Sequence, residues 1–338
     1  MITKTYMPYV VQHMCHLEEW TDDKAAVLNA NAHACAISAD SHQHWPDAIK
    51  TIDCDLWARI GISGVDAAVP PVEPVNMRQR LRARAEAEGL LLDRGGPIVI
   101  DDATYIKPIT VQDHWVIDPA YATKWAKILV DELDPLLSGG PYDALFLDKY
   151  GDLPYFLVQN GITPTLQDEW QWGQMLVEVV RTISKECGRW GVDLYVNGGV
   201  EQNYSATITG PMYENIPCES TWSDHFHEIM HDAWVYSGKV IVGENGGKYR
   251  RECLALAMLF DCWFAPRTKA SEPLEIPIAD SHNVVGEWFP CENRPVKPAG
   301  PCVWRRMFWS PREHVKRVCE MKFDPDWRRV QVTLPWDK

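Results

Sequence analysis

Short apolar runs alternate with longer amphipathic stretches along the sequence, and this alternation constrains the fold more than any other feature. The runs are apolar nearly throughout, which is typical of parallel strands buried on both faces. Eight such runs in alternation with helices favour a (β/α)8 TIM barrel over an open doubly wound sheet, so the predicted class is α/β. The predicted strands are Tyr6–Val11, Ala34–Ala39, Leu56–Ile62, Ala144–Leu147, Asp193–Val196, Thr209–Tyr213, Lys239–Val242 and Leu259–Phe264.

The connecting segments predict helices, one insertion and a tail. Apolar side chains at helical spacing predict helices over Asn76–Glu88, Tyr121–Leu133 and Leu166–Glu186. Two apolar runs flanking Asp93–Pro97 predict a β-hairpin insertion within residues 90–117, because that segment holds two glycines. We therefore expect a barrel over residues 1–290 and a strand-rich extension packed on it over 291–338.

Composition excludes several classes of protein. The chain has 338 residues, of which 33 are Lys or Arg and 47 are Asp or Glu, and the net charge of −14 argues against a general nucleic-acid binder. No apolar run reaches the roughly 18 residues of a membrane span. The ten cysteines form no CxxC pair, so free thiols are expected and no structural metal or cofactor. The first 15 residues lack the pattern of a secretory signal, which favours a cytoplasmic, phage-encoded or virion-associated protein.

Polar side chains directly follow four of the predicted strands. Asp148, Asn197, Glu214 and Glu244 each come at or just after the end of an apolar run. In an α/β barrel, function resides at the carboxyl ends of the strands, so we expect these four side chains on one rim. A carboxylate after a buried strand is costly unless it is paired or used.

Two facing carboxylates suit glycoside hydrolysis, in which one group donates a proton and the other stays ionised. We predict Glu214 as the general acid/base, because its neighbours Tyr213 and Ile216 are apolar and favour the protonated form. Asp148 precedes Lys149, which favours an ionised nucleophile or electrostatic partner. The reverse assignment stays open, and so does the choice between retention and inversion.

Four segments resemble a known family. PYDALFLDKYGD resembles the strand-4 signature of glycosyl-hydrolase-like family 15, which is similar to glycoside hydrolase family 114, the endo-polygalactosaminidases. LLLDRGGPIVI with HWVIDPAYATKW, GPMYENIPCE and NRPVKPAGPCVWRRMF resemble further segments of that family in the same order. The resemblance implies a TIM barrel acting on a polysaccharide, such as a bacterial exopolysaccharide or capsule, with the acidic pair at Asp148 and Glu214.

Further residues are candidates for substrate binding. Aromatic rings stack on the apolar faces of sugars, and Trp222 in the loop after Glu214 is the first choice. The other Trp residues are expected mostly in the core. Arg59 lies inside the third run and is predicted to point into the barrel. The remaining candidates near the rim are Trp115, Tyr150, Tyr213, Trp288, His42 and His44.

Two rival classes stay open. A non-catalytic carbohydrate-binding or virion-type structural protein would use the same scaffold, since fold alone does not fix function. A metal-dependent lyase or isomerase would use Asp148, Glu214 and Glu244 to hold a divalent cation. His225 and His227 flank Phe226, and for them a surface position or a substrate-hydroxyl contact is favoured over a metal site.

Overall fold

The structure is a computed structural model. It describes residues 9–15, 25–26, 28–29, 32–39, 46–62, 64–66, 73–92, 97–100, 103–106, 110–111, 114–148, 163, 165–198, 207–216, 222–244, 249–266, 289–291, 298–300, 302–310 and 313–337.

Eight strands form a closed barrel in the order β1-β13-β12-β11-β10-β9-β3-β2 when all strands are numbered along the chain. The barrel strands whose register is defined pair in parallel. This confirms the predicted (β/α)8 barrel. The barrel strands are β1 (Tyr9–Cys15), β2 (Ala34–Ser38), β3 (Asp55–Gly61), β9 (Ala144–Asp148), β10 (Asp193–Asn197), β11 (Gly210–Ile216), β12 (Ile241–Glu244) and β13 (Trp263–Ala265).

Helices lie between the strands, and the three predicted helices are present. Asn76 begins α2 by accepting a hydrogen bond from the Gln79 N–H at 2.8 Å. Asp118 likewise caps the 3-10 turn Pro119–Tyr121 that leads into α3. The helices with defined bounds are α1 (Pro46–Ile49), α2 (Met77–Ala87), α3 (Ala122–Leu137), α4 (Leu166–Trp190), α5 (Trp222–Val235) and α6 (Arg250–Phe260). Among the described helices, none is both long and apolar enough to span a bilayer.

The last predicted strand is wrong in its first half. Leu259 and Phe260 end α6, and the strand begins only at Trp263. Every residue of α6 from Cys253 to Phe260 is buried, so the end of the helix carries no polar stripe to distinguish it from a strand. Asp261 ends the helix in the left-handed conformation, at a φ of 60°, where glycine is the usual signal.

The insertion contains a hairpin, but its partner strands differ from the prediction. The run from Ile98 pairs with the segment after it and not with Leu90–Leu92. The two strands of this hairpin are antiparallel, and Ile100 pairs with Ala103. Leu91 instead forms a bridge to Ile117. The insertion strands are β5 (Pro97–Ile100), β6 (Ala103–Ile106), β7 (Thr110–Val111) and β8 (His114–Val116), and β8 pairs with β4 (Gly64–Asp66), which precedes the insertion in the sequence.

The C-terminal extension is rich in strands, as predicted. It forms a five-stranded antiparallel sheet in which Arg306 of the central strand is 3% exposed. Its guanidinium donates to the carbonyls of Met258 and Leu259 at 3.1 and 3.2 Å and pairs with Asp261. One cation thereby satisfies the carbonyl end of α6. The strands are β14 (Phe289–Pro290), β15 (Pro298–Gly300), β16 (Val303–Ser310), β17 (Val315–Phe323) and β18 (Val330–Thr333).

Packing divides the chain into two compact units. The first comprises Met1–Ser38, Trp45–Ala58 and Thr209–Lys338, and the second comprises Ala39–His44 and Arg59–Ile208.

An aromatic layer, comprising His33, Trp57 and Trp263, identifies the inner face of the barrel. The rings of Trp57 on β3 and Trp263 on β13 meet edge to face, 5.9 Å apart, although β1 and β2 separate their strands in the barrel order. Side chains of non-adjacent strands meet in this way only inside a barrel. His33 directly precedes β2 and Trp263 begins β13, so this layer lies at the amino ends of the strands.

Candidate active site

Asp148 is the centre of a buried polar cluster in the second unit. It is the last residue of β9 and is 6% exposed. Its Oδ2 pairs with the Arg59 guanidinium of β3, and its Oδ1 accepts a hydrogen bond of 2.9 Å from the Asn197 amide of β10. We call Asp148, Arg59 and Asn197 the polar layer.

The strands themselves direct this cluster inward. Arg59 comes two residues after Trp57 on β3, so strand alternation turns both side chains to the inner face. Asp148 contacts Arg59 from the neighbouring strand β9, and Asn197 contacts Asp148 from β10, the strand on the other side of β9. Asp148 and Asn197 each end their strand, which places the polar layer at the carboxyl ends, where barrel enzymes carry their chemistry.

Backbone hydrogen bonds fix the same strands. The Asp148 carbonyl accepts a 2.9 Å bond from the Ile62 N–H, and the Arg59 carbonyl accepts one of 2.9 Å from Ala39. The sequence predicts that Arg59 points into the barrel but does not identify Asp148 as its partner. An arginine inside an otherwise apolar strand was the available signal, because a buried guanidinium requires an acidic or carbonyl partner.

Glu214 lies near the carboxyl end of β11 in the first unit and is half-buried. Its neighbour Tyr213 points the other way and donates a 2.7 Å hydrogen bond to Asp232 of α5. Burial, reinforced by the Asp232 carboxylate, strongly raises the pKa of Tyr213. Tyr213 therefore faces a helix rather than the barrel interior, in contrast to its predicted role in binding substrate.

Two predicted sugar platforms have covered rings. Trp222 is 4% exposed and packs against Tyr249 and Phe323, at centroid distances of 5.7 and 6.3 Å, so its ring has no open face for a sugar. No local pattern indicates this burial, because the covering residues come from distant segments. One face of the half-buried Trp115 is covered by the Arg82 guanidinium, 3.2 Å from the ring centroid.

Several predicted residues lie outside the described part of the chain. For Glu244 the structure describes the backbone at the end of β12 but not the side chain. Among the described side chains, no group of three or more His, Cys, Asp or Glu could hold a metal ion. His227 is described and exposed, and its ring lies 5.1 Å from that of Trp327. The residues outside the described ranges are His42, His44, Tyr150 and Trp288.

Comparisons of the whole fold with solved structures give matches to carbohydrate-active barrels. The catalytic domain of a β-amylase from Paenibacillus polymyxa matches with a TM-score of 0.50 and 10% identity, over 78% of this chain and 92% of that domain. This chain shares the barrel fold of that domain. At 10% identity the likeness shows the fold alone.

Two further structures match less well. A GH36 α-galactosidase from Geobacillus stearothermophilus has a TM-score of 0.49 and 9% identity, over 97% of this chain and 49% of its own. An α-L-fucosidase isoenzyme from Paenibacillus thiaminolyticus has a TM-score of 0.47 and 10% identity, over 82% of this chain and 50% of its own. This chain thus spans about half the length of either enzyme.

By sequence, neither a protein-family model nor a curated protein matches the chain. The resemblance to glycosyl-hydrolase-like family 15 therefore stays a prediction.

Proposed function

We propose that this protein is a glycoside hydrolase that cleaves O-glycosyl bonds of a polysaccharide with Asp148 and Glu214 as its two carboxylates. The observation that carries the proposal is the polar layer, in which a buried carboxylate at the carboxyl end of a barrel strand is held by a cation and an amide. The shared barrel fold and the family resemblance agree with this reading.

The contacts of Asp148 suit the carboxylate that stays ionised. An arginine side chain is always cationic and donates to one carboxylate oxygen, while Asn197 donates to the other. Both bonds favour the negative charge, so Asp148 attacks the anomeric carbon or activates a water for that attack. This assignment replaces the sequence argument from Lys149, which lies outside the described residues.

Glu214 is then the proton donor. It ends a short apolar stretch of β11, and in a barrel of parallel strands the carboxyl ends share one face. As the glycosidic C–O bond breaks, Glu214 gives its proton to the leaving oxygen, and in the second half of a retaining reaction it takes one from water. An inverting reaction uses Asp148 as the base for that water instead.

The test is product analysis on a panel of bacterial polysaccharides, including amino-sugar polymers, with the wild type and the variants Asp148→Asn and Glu214→Gln. Each substitution keeps the shape of the side chain but replaces the carboxyl group by an amide, which can act neither as a carboxylate nor as an acid. We therefore expect a loss of cleavage of at least about 10³-fold. The control is Asp131→Asn, which removes an exposed ion pair with Arg84 and should leave cleavage unchanged.

Full activity in either carboxylate variant would refute the acidic pair. A chelator added to the wild type separates the rival lyase or isomerase, since we expect hydrolysis to continue and no unsaturated product to form. The anomer of the first product, followed by NMR, distinguishes retention from inversion.

A further inference from the structure

The strand β11, which carries Glu214, contains one residue more than its neighbour β12 over the same stretch of pairing. Tyr213 pairs with Val242 and Ile216 pairs with Glu244, so β11 advances by three residues where β12 advances by two. An extra residue of this kind is a β-bulge, and bulges are frequent beside active sites, where they redirect a side chain. Glu214 and the residue after it occupy the bulge.

Gly243 of β12 lies opposite the bulge and is in close contact with it. A Cβ added to Gly243 would lie 2.7 Å from the Met212 Cε, 3.2 Å from the Tyr213 carbonyl oxygen and 3.4 Å from the Glu214 Cα. The Met212 methyl is the end of a flexible side chain and moves at little cost. The Tyr213 carbonyl belongs to the backbone, so a methyl group at position 243 must push the bulge itself by a few tenths of an ångström.

β11 is held from the outer side at the same level. The Tyr213 hydroxyl is hydrogen-bonded to Asp232 of α5, and Tyr213 and Asp232 are both buried. The Glu214 backbone therefore follows Tyr213, which is anchored to α5, and lies against the neighbouring strand β12, whose residue 243 has no side chain. Both contacts belong to the first unit of the chain.

We propose that Gly243 is a positioning residue for Glu214: the absence of a side chain lets β12 lie against the bulge and sets where the carboxyl group is presented. This inference rests on the proposed function, in which Glu214 is the proton donor. Proton transfer requires a donor within hydrogen-bond reach of the leaving oxygen, so a small displacement of its backbone lowers the rate without removing the group.

The variant Gly243→Ala tests this directly. We expect kcat on the natural polysaccharide to fall about 10-fold with KM little changed, because a misplacement of about 1 Å costs roughly 100-fold and a shift of a few tenths of an ångström costs correspondingly less. For an aryl glycoside with a leaving group that needs no protonation, kcat/KM reports only the first bond cleavage and should stay near the wild-type value, whereas a merely structural defect would lower it. A crystal structure of the variant should show the Glu214 Cα displaced by a few tenths of an ångström.

Two further variants keep the result interpretable. Gly188→Ala in α4 is the matched control, because a Cβ there meets nothing within 4 Å, and its activity should equal that of the wild type. If Gly243→Ala does not fold, Met212→Ala combined with Gly243→Ala removes the 2.7 Å contact but keeps the two backbone contacts. The double variant should fold and keep the selective loss.

The outcomes separate the two proposals. Full activity of Glu214→Gln refutes the proposed function and this inference together. Loss of activity in Glu214→Gln with wild-type activity in Gly243→Ala, or with equal losses on both kinds of substrate, refutes only the role of Gly243. Recovery of full activity in the double variant also refutes it, because the Met212 side chain would then carry the effect.

Discussion

The aromatic layer of the first unit and the polar layer of the second unit differ in what holds them. In the aromatic layer, rings pack edge to face, and the His33 imidazole accepts a 3.1 Å hydrogen bond from the Val10 N–H. In the polar layer, a charged pair and an amide satisfy one another at the carboxyl end. This difference agrees with the general division in TIM barrels, in which residues at the amino ends of the strands serve stability and residues at the carboxyl ends serve chemistry.

The largest effect on stability is expected from the aromatic layer. Replacing Trp263 by Ala leaves a cavity against Trp57, and the free energy of unfolding should fall by about 4 kcal/mol. The cleavage rate per folded molecule should not change. Denaturant unfolding and activity of the same preparations test this, with Trp263→Phe as the milder control. A large loss of kcat in the folded fraction would contradict the division between the layers.

In the polar layer, Arg59→Ala should lower both the stability and the activity of the protein. It leaves the buried Asp148 carboxylate without its cation, which costs about 3 kcal/mol of stability, and it removes one of the two side chains that hold this carboxylate in place. We expect at least a 10²-fold loss of activity, again an order of magnitude. Arg59→Lys keeps the charge and should recover part of both quantities. Stability lost with full activity retained would make Asp148 a structural residue.

The buried imidazole of His33 in the aromatic layer should make the stability of the protein depend on pH. Burial lowers the pKa of His33 from 6.5 to about 4, so the unfolded chain binds this proton more readily than the native protein. The stability that the neutral imidazole contributes is complete above pH 6.5 and decreases as the pH falls towards 4.

The expected loss from this group is about 2 kcal/mol between pH 8 and pH 5. Unfolding measured across this range tests it, against His33→Asn, whose amide oxygen can accept the Val10 N–H bond but does not titrate. An equal pH slope in the wild type and the variant would show that His33 is not the source.

The smallest effect is expected for Asn197→Ala. It removes one hydrogen bond to Asp148 and should cost about 1 kcal/mol of stability and about 10-fold in activity. Asn197→Asp places a second carboxylate beside Asp148 and should be the more harmful change, because two like charges then share a buried site. If the Asp variant is as active as the wild type, the amide is not needed to orient Asp148.

Much of the fold could be predicted from the sequence. A strand buried on both faces must be apolar throughout, and that requirement is visible residue by residue, so the barrel strands and the helices from Met77, Ala122 and Leu166 were found. The boundary at Trp263 was missed because α6 is as apolar as a strand and ends at Asp261 rather than at a glycine.

Local patterns in the sequence specify the class of fold and the carboxylates that follow the strands. Which side chains meet depends on the tertiary structure. It joined Arg59 to Asp148, residues 89 positions apart, and it covered Trp222 with Phe323 from the C-terminal sheet. Burial and pairing are set by contacts between distant segments, and no local pattern records which segments those are.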